Sequence, residues 1–404
     1  MLQNRQHTAS RAGHDQQSKI KREVGKFRFQ GKQAMIVIAE PTYAGDDHVV
    51  INGAIIESIV KACGAVVFAA TATQHAGIAE TTNGGIADAA PELITVQSAG
   101  GVSIYRMRHQ WRTLFGLVRR HRAKMLVLLS AGPETLFVAR GLVTRYPALR
   151  VFAVMHGNIS TIVGWRSRDP RRRLIDLRSG LHVAHHPRIH LVVLEDDIRN
   201  RLASLIPNHC LVWPMPTNEF EQARATPWTA PAKLTLAFVG RANRAKGFGD
   251  IVALQKQTGG LHAWAVVGTL SPEFELGDLK AFTRPVHRLS RADYLAEIRR
   301  ADYTIMSFGQ EYHLTASASL LDCVTQRKPI IALRNSMLSQ LETTFGAFGH
   351  LCDDTEAMLQ LVAHPERLRD EPSYARFQRA LDAIHAARLP GALAATIRSD
   401  LGCE

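Results

Sequence analysis

Short apolar runs alternate with segments of helical period along most of this chain. In the first half, apolar runs at residues 34–39, 65–70 and 125–130 are separated by helical patterns such as residues 51–63. A second alternation begins with the apolar run at residues 234–239. Alternation of this kind predicts βαβ units on a parallel sheet. We therefore expect an α/β protein with two Rossmann-like, doubly wound domains that face a cleft.

A proline-rich segment marks the boundary between the two alternations. Residues 213–217 read WPMPT, and Pro227 and Pro231 follow closely. Proline interrupts both helices and strands, so we place the domain linker here. The sequence predicts four regions: a disordered tail (1–33), an N-terminal acceptor-binding domain (34–215), a C-terminal nucleotide-sugar-binding domain (216–385) and a C-terminal helix that could cross back to the first domain (386–404).

The positive charge of the chain is concentrated in one stretch. The 404 residues carry a net charge of +13. Residues 102–173 contain fifteen Lys or Arg against Glu134 and Asp169, which also gives 15 − 2 = +13. This region should attract an acidic partner, which could be anionic lipid, a phosphorylated substrate or nucleic acid. Its aromatic residues are scattered rather than grouped as a stacking platform, so nucleic acid is kept as an alternative.

Residues 108–122 of the basic stretch have the period of an amphipathic helix. Arginines at 108, 112, 119 and 122 are interleaved with Trp111, Leu114, Phe115 and Val118. This pattern suits a helix that lies on an anionic membrane, with its arginine stems along the apolar boundary. The alternative is a surface helix that packs its apolar residues on the sheet and leaves its arginines in water.

Other signals are weak. The longest apolar runs are far shorter than the ~18 residues that a membrane span needs, and the basic start of the chain lacks the apolar core of a signal peptide. Five widely spaced cysteines predict neither a disulfide framework nor a zinc site, and a reducing compartment is the simplest interpretation. The histidines at 182, 185, 186 and 190 lack the order typical of zinc ligands.

Residues 234–248 (LTLAFVGRANRAKGF) have the pattern of a strand, a polar loop and the start of a helix. Gly240 allows the backbone to approach a ligand, while Arg241 and Lys246 could neutralise a diphosphate from two sides. An ordinary βα turn with solvated charges is the alternative interpretation.

This segment, a second strand that ends at Gly268, and residues 301–307 and 316–332 together resemble the nucleotide-sugar domain of retaining GT-B glycosyltransferases of the glycosyltransferase 4-like group. The resemblance covers residues 234–335. In that family an acidic helix residue holds the ribose, and Asp322 occupies this position. The family's other glutamate has no match, and Arg327 replaces the usual glycine. The spacing of Tyr312, Ser317 and Ser319 instead resembles a variant of bacterial polysaccharide transferases.

The resemblance implies a donor-binding set whose members surround a nucleoside-diphosphate sugar. Thr315, Ser317 and Ser319 open a helix, where hydroxyls and backbone N–H groups could hold a phosphate; helix capping alone is the alternative. The predicted set is Gly240, Arg241, Lys246, Gly268, Tyr312, Thr315, Ser317, Ser319 and Asp322.

The first half offers three candidates for catalytic residues. His156 ends an apolar strand before Gly157, and in the family a histidine at this strand end faces the donor sugar; a structural histidine is the alternative. His48 or Asp47, in the loop after the first strand, could orient an acceptor hydroxyl. Helix capping by Asp46, Asp47 or Asn52 is the alternative there.

The resemblance predicts a hexosyltransferase that uses a UDP-sugar, or next a GDP-sugar, and glycosylates a lipid-linked or polysaccharide acceptor in exopolysaccharide or cell-envelope glycan synthesis. Retention of configuration is implied by the resemblance alone. We expect no cofactor and no metal, and a cytoplasmic enzyme peripheral to the inner face of the plasma membrane. A nucleic-acid-binding protein and a nucleotide-sugar epimerase of the same architecture are the alternatives.

Overall fold

A computed structural model describes most of the chain after the first 34 residues. The described residues are 35–46, 48–82, 85–97, 103–160, 174–206, 210–224, 227–274, 280–283, 289–309 and 314–403. The predicted tail (1–33), Asp47 and Tyr312 lie outside them, as does the part of the basic stretch at residues 161–173.

The chain divides into two compact units. Unit 1 contains the described residues up to Leu194, Leu202–Trp213 and the end of the chain from Leu393; unit 2 contains Glu195–Arg201 and Pro214–Ala392. The division between Trp213 and Pro214 falls within the proline-rich segment, two residues before the predicted boundary.

Unit 1 is built on a seven-stranded parallel sheet of order β3-β2-β1-β4-β5-β6-β7. Its strands are β1 (Ile36–Ala39), β2 (Val66–Ala70), β3 (Ala89–Leu93), β4 (Met125–Leu128), β5 (Arg150–Val154), β6 (Ile189–Val193) and β7 (Cys210–Val212). Its helices include α1 (Val49–Cys63), α2 (Ala72–Thr82), α3 (Ile104–His121), α4 (Pro133–Arg145) and α5 (Leu177–Val183). Every residue of β1, β2 and β4 is buried, because helices cover both faces of a doubly wound sheet.

Unit 2 is built on a six-stranded parallel sheet of order β10-β9-β8-β11-β12-β13. Its strands are β8 (Thr235–Val239), β9 (Ala263–Val267), β10 (Phe282–Thr283), β11 (Tyr303–Met306), β12 (Ile330–Leu333) and β13 (Gly349–Cys352). The helices from the end of unit 1 onward are α6 (Asp196–Leu202), α7 (Phe248–Thr258), α8 (Arg291–Arg300), α9 (Ala318–Thr325), α10 (Ser336–Phe345), α11 (Thr355–Ala363), α12 (Pro365–Leu368) and α13 (Glu371–Ala387).

The continuous apolar run of β8 is explained by its two buried faces. Leu236 and Phe238 belong to one hydrophobic cluster, and Ala237 and Val239 belong to another on the opposite face of the sheet. The prediction of an α/β protein with two Rossmann-like, doubly wound domains is confirmed.

The strands that the sequence pattern did not predict lie at sheet edges. β3 and β13 are edge strands, and β3 contains Pro91 and Glu92. Edge strands tolerate proline and polar residues because one side of the strand makes no ladder hydrogen bonds. Their weak apolar signal follows from this position.

The end of the chain forms α14 (Pro390–Leu401), which lies in unit 1 from Leu393 onward. Arg398 donates to the carbonyl of Ala62 (2.8 Å), and Arg150 donates to the carbonyl of Leu401 (3.0 Å). These bonds join α14 to the end of α1 and to the start of β5.

The expectation that the chain forms no disulfide is wrong. Cys63, at the end of α1, is bonded to Cys403, and their Cα atoms are 5.4 Å apart. The two residues are 340 positions apart in sequence, and only the packing of α14 on α1 brings them together. The interpretation of a reducing compartment therefore loses the observation on which it rested.

Among the described residues, no helix is both long and apolar enough to cross a membrane.

Candidate functional site

Four of the predicted donor-binding residues, Gly240, Lys246, Gly268 and Ser319, lie together near the carboxyl ends of β8 and β9 in unit 2. From β8 the chain continues to β9 on one side, and after β10 it crosses to β11 on the other side of β8. The order of the strands reverses at this point, and open α/β sheets bind ligands in the crevice that such a reversal creates. Gly240 follows β8 and Gly268 follows β9.

Three glycines bring the backbone close together at this point. Gly240, Gly247 and Gly268 have φ values of 99°, 67° and 141°, which L side chains rarely adopt. A Cβ on Gly268 would lie 2.1 Å from the carbonyl oxygen of Gly240, and one on Gly247 would lie 1.6 Å from that of Ser307. Glycine is therefore required at both positions.

Lys246 links the β8 loop to the first turn of α9. Its Nζ donates to Oγ of Ser319 (2.7 Å), and a Cβ on Gly240 would lie 2.7 Å from the same Nζ. The backbone N–H of Lys246 donates to Oδ1 of Asn243 (2.9 Å), which orders the turn. Arg241, the other predicted cation, is exposed at the start of the loop.

The hydroxyls before and within α9 have different partners. Ser317 caps the helix by accepting from the N–H of Leu320 (3.2 Å), as the capping interpretation stated, and its Oγ lies 3.3 Å from that of Ser319. Both serines are buried. Thr315 instead lines a small cavity with Arg201, Asn335 and Ser336, among other residues.

Asp322 is held by other side chains of unit 2. Its Oδ1 accepts from Arg291 (2.7 Å), its Oδ2 accepts from the hydroxyl of Tyr294 (3.1 Å), and Arg291 also binds Glu221 (2.6 Å). Burial alone lowers the pKa of Arg291, but the two carboxylates outweigh it and the pKa is raised. These contacts favour a structural role for Asp322. A carboxylate has about four acceptor positions, so its predicted contact with a ribose stays a prediction.

Ser307 and Asp250 were missed by the sequence analysis. Ser307 directly follows β11, and its hydroxyl donates to Oδ2 of Asp250 (2.5 Å) in the first turn of α7. This bond joins the strand end to the helix that begins after Gly247. The only sequence signal was the position of a serine directly after a buried strand.

In unit 1, the order of the strands reverses between β1 and β4: β2 and β3 lie on one side of β1, and β4 to β7 lie on the other. His48 precedes α1 with φ 65°, a strained value for a residue other than glycine. Its ring lies 4.8 Å from the ring of His156, which follows β5, and 4.6 Å from the ring of Tyr43. We call Tyr43, His48 and His156 the ring cluster. Two of the three predicted catalytic residues therefore lie side by side.

His156 is buried and uncharged. Burial lowers its pKa to about 3, the charge of His48 contributes to the decrease, and a hydrogen bond with the carbonyl of Leu129 opposes it. Among the described residues Nε2 has no hydrogen-bond partner, so Nδ1 is the nitrogen that donates to Leu129. Nε2, which is itself buried, therefore keeps a lone pair that has the chemistry to accept a hydrogen bond from a hydroxyl group.

The basic helix α3 packs its apolar side against unit 1. Leu114, Leu117 and Val118 are buried, and the ring of Trp111 lies so close to Gly141 of α4 that a Cβ there would be 2.4 Å away. Leu114 and Val118 therefore help to form the core, as the alternative interpretation of a surface helix packed on the sheet states. The arginines at 108, 112, 119 and 122 are exposed, as are Ile104 and Tyr105 at the start of the helix.

No group of three or more His, Cys, Asp or Glu side chains that could hold a metal ion occurs within the described parts of the chain. The histidines between residues 182 and 190 thus form no such group.

No protein-family model matches this chain, and no curated protein matches it in sequence. Solved structures do share its fold. A glycosyltransferase from Rickettsia africae is 12% identical with a TM-score of 0.64, and the match covers 92% of this chain and 98% of that chain. The HepE protein of Anabaena in complex with UDP-glucose is 10% identical with a TM-score of 0.65, covering 91% and 99%. A UDP-N-acetylglucosamine 2-epimerase is 12% identical with a TM-score of 0.55, covering 92% and 96%.

Proposed function

We propose that this protein is a glycosyltransferase of the glycosyltransferase 4-like group, which transfers a hexose from a nucleoside-diphosphate sugar to a lipid-linked or polysaccharide acceptor. We favour UDP over GDP as the nucleotide, retention of configuration, and a role in exopolysaccharide or cell-envelope glycan synthesis. Unit 2 would bind the donor and unit 1 the acceptor. The Anabaena structure of the same fold, which is a complex with UDP-glucose, supports this proposal.

The observation that carries the proposal is the contact between Lys246 and Ser319 at the strand-order reversal of unit 2. It places a cation beside the first turn of α9 and against Gly240. The first N–H groups of a helix have no intrahelical partner, and the helix dipole favours an anion there. A cation, such N–H groups and a close glycine backbone together complement a diphosphate. They would stabilise the negative charge that develops on a departing nucleoside diphosphate.

The remaining predicted residues would act around this diphosphate. Arg241 would neutralise it from the solvent side, while Tyr312 and Asp322 would contact the nucleoside. In unit 1, Nε2 of His156 would accept a hydrogen bond from a hydroxyl of the reacting sugar, and His48 or Asp47 would orient the acceptor. Transfer would then depend on positioning and electrostatic stabilisation, without a covalent cofactor.

Calorimetric titration with UDP, GDP and ADP tests the donor site. Lys246→Ala and Arg241→Ala should each weaken UDP binding by about 1.5–3 kcal/mol, the usual value of a charged hydrogen bond, or roughly ten- to 150-fold in Kd. Lys256→Ala is the matched control, because Lys256 is an exposed lysine at the opposite end of α7. Unchanged affinity in both site variants would refute the assignment.

We further propose that the exposed arginines of α3 bind unit 1 to the anionic cytoplasmic face of a membrane, where a lipid-linked acceptor would be presented. Each basic side chain near such a surface contributes about 1 kcal/mol. The exposed side chains of Ile104 and Tyr105 could add apolar contact at one end of the helix.

Co-sedimentation with vesicles tests this surface. Binding should require anionic lipid, decrease with salt, and decrease when Arg108, Arg112, Arg119 and Arg122 are changed together to Gln. A control with the same loss of charge changes four exposed arginines of unit 2 to Gln: Arg299, Arg300, Arg376 and Arg379. Equal loss of binding in both variants would indicate that net charge alone drives binding. Equal binding of the wild type to neutral and to anionic vesicles would exclude an electrostatic surface.

A nucleotide-sugar epimerase is the second candidate, because one protein of the same fold is a UDP-N-acetylglucosamine 2-epimerase. An epimerase converts the nucleotide sugar without an acceptor. Incubation with UDP-N-acetylglucosamine alone, followed by separation of the sugar epimers, distinguishes the two activities.

A further inference from the structure

Glu40 is a fully buried carboxyl at the end of β1, where the sheet of unit 1 reverses its strand order. Its Oε1 accepts from the backbone N–H groups of Thr42 (2.9 Å) and Tyr43 (3.1 Å). Its Oε2 accepts from Nδ2 of Asn52 (3.1 Å) and Oγ of Ser130 (2.6 Å). One side chain therefore ties together the loop after β1, the helix α1 and the end of β4.

The loop after β1, residues 41–45, is held along its whole length. Its carbonyls accept bonds from three side chains: Pro41 from Gln110 (3.2 Å), Ala44 from Thr71 (2.9 Å) and Gly45 from Gln74 (2.6 Å). Thr42 also donates from its hydroxyl to the carbonyl of Ser130 (2.7 Å). The side chains that donate to the loop carbonyls are neutral, whereas the group that accepts from the loop N–H groups of Thr42 and Tyr43 is the carboxyl of Glu40.

The loop carries one member of the ring cluster. Tyr43 belongs to the loop, its ring contacts that of His48, and His48 contacts His156. His156 is only 7% exposed, and its Nε2 has no hydrogen-bond partner among the described residues. A shift of the loop would move Tyr43 and His48 and open the surroundings of this nitrogen.

We propose that Glu40 is a positioning residue for the proposed transfer reaction: it fixes the loop at residues 41–45 and, through Tyr43 and His48, holds the ring of His156, and with it the acceptor nitrogen Nε2, in place. This inference rests on the proposed function for the role of His156. Glu40 itself is fully buried, so it acts through the ring cluster and not on a substrate.

The four donors around Glu40 explain why a side chain with acceptor oxygens suits this position. Burial raises the pKa of Glu40 above its ordinary value, although the hydrogen bonds from Ser130, Thr42, Tyr43 and Asn52 oppose the increase. A glutamine could keep most of these bonds: its oxygen would accept from the N–H groups of Thr42 and Tyr43, and its NH2 group could donate to Ser130. It could also donate to Oδ1 of Asn52, which has no partner within the described residues, after the Asn52 amide turns over. An alanine would leave all four donors without an acceptor.

Hydrogen–deuterium exchange and histidine ¹⁵N NMR of the full-length protein test the proposal without any substrate. Glu40→Ala should speed exchange of the amides of Thr42 and Tyr43 by roughly tenfold or more, because a lost acceptor allows local opening. The imidazole ¹⁵N signals of His156 should shift, and its protonation should move from about pH 3 toward the ordinary histidine range of roughly 6.5. Glu40→Gln should restore both measurements to near wild type.

The matched control is Glu57→Gln, a buried carboxyl on α1 that pairs with Lys61 outside the loop. It should lower the melting temperature without changing the His156 signals. If Glu40→Ala lowers only the melting temperature and leaves the exchange of the loop and the His156 signals unchanged, the positioning role is wrong. If Glu40→Gln behaves like Glu40→Ala, the negative charge rather than the positioning of the loop is what matters, and the proposal is also wrong.

A UDP titration of the same variants separates this inference from the proposed function. Glu40→Ala should bind UDP as the wild type does, because the donor residues lie in unit 2. A wild-type protein that binds no nucleotide would refute the proposed function, while the exchange and NMR results would still decide whether Glu40 positions the ring cluster.

Discussion

At the scale of single residues, burial decides which groups can do chemistry. His48 and His156 are neighbours, yet His156 is buried and remains neutral at physiological pH because its pKa is about 3. A neutral imidazole whose Nδ1 is already bonded can only accept a hydrogen bond at Nε2. This favours a role in orienting a hydroxyl over a role as a strong base. Existing contacts distinguish two other candidates. Lys246 lies beside a helix N-terminus, where an anion can bind, whereas the two oxygens of Asp322 already accept hydrogen bonds from Arg291 and Tyr294.

The lowered pKa of His156 predicts a pH dependence of stability. The unfolded histidine binds a proton near pH 6.5 and the folded one only near pH 3. Its contribution is therefore fully present above about pH 6.5 and is lost as the pH falls through this window. Between about pH 7.5 and pH 5, His156 should cost the folded state about 2 kcal/mol.

Urea unfolding at these two pH values measures the effect. His156→Gln cannot titrate, so acidification should destabilise it by about 2 kcal/mol less than the wild type. Equal losses in the two proteins would show that His156 is accessible to protons in the folded state.

At the scale of elements, glycines set the approach of β8, β9 and α7 to one another. Gly247 caps α7 in the left-handed region and lies against the carbonyl of Ser307, while Gly268 lies against that of Gly240. The loop that carries Lys246 is therefore shaped by backbone contacts that permit no side chain. This explains why a short polar loop can present a cation in a defined position.

Two glycines of the same segment should respond in opposite ways to substitution. Gly247→Ala should destabilise the protein by about 2–4 kcal/mol, because its φ is unfavourable and its Cβ would overlap a carbonyl. Gly249→Ala should stabilise it by roughly 0.5–1 kcal/mol, since Gly249 lies within α7 and a Cβ there would meet no atom within 4 Å. Thermal unfolding of the two variants tests the geometry, and a neutral Gly247→Ala would contradict it.

At the scale of the whole molecule, two distant segments of unit 1 are covalently joined. The bond between Cys63 and Cys403 attaches α14 to α1, and Arg398 adds a hydrogen bond to the carbonyl of Ala62. A cross-link between residues so distant in sequence restricts the unfolded chain strongly. Disulfides persist mainly in oxidising environments, so the redox state of this pair bears directly on the cytoplasmic location that we propose.

Removal of the disulfide should destabilise the protein. Cys403→Ser should lower the free energy of unfolding by about 2–5 kcal/mol, and dithiothreitol should have the same effect on the wild type. The reductant should not change the stability of Cys403→Ser, which serves as the control, because Cys210, Cys323 and Cys352 are thiols. Thiol titration after denaturation without reductant provides a direct count: three reactive thiols are expected, and five would exclude the bond.

The sequence by itself determined the α/β class, the two doubly wound domains and the convergence of Gly240, Lys246 and Ser319, because these depend on local period and on strand ends that meet at one edge of a sheet. Only the tertiary structure decided the contacts of residues whose partners are distant in the chain. It paired Cys63 with Cys403 and buried Leu114 and Val118 of α3 in the core. It also placed Arg291 and Tyr294 within hydrogen-bond distance of the two oxygens of Asp322. It also made Glu40 the common acceptor for a loop, a helix and a strand end. Local patterns report which surface of an element is apolar, whereas the partner of a charged or reactive side chain is set by which distant elements pack beside it.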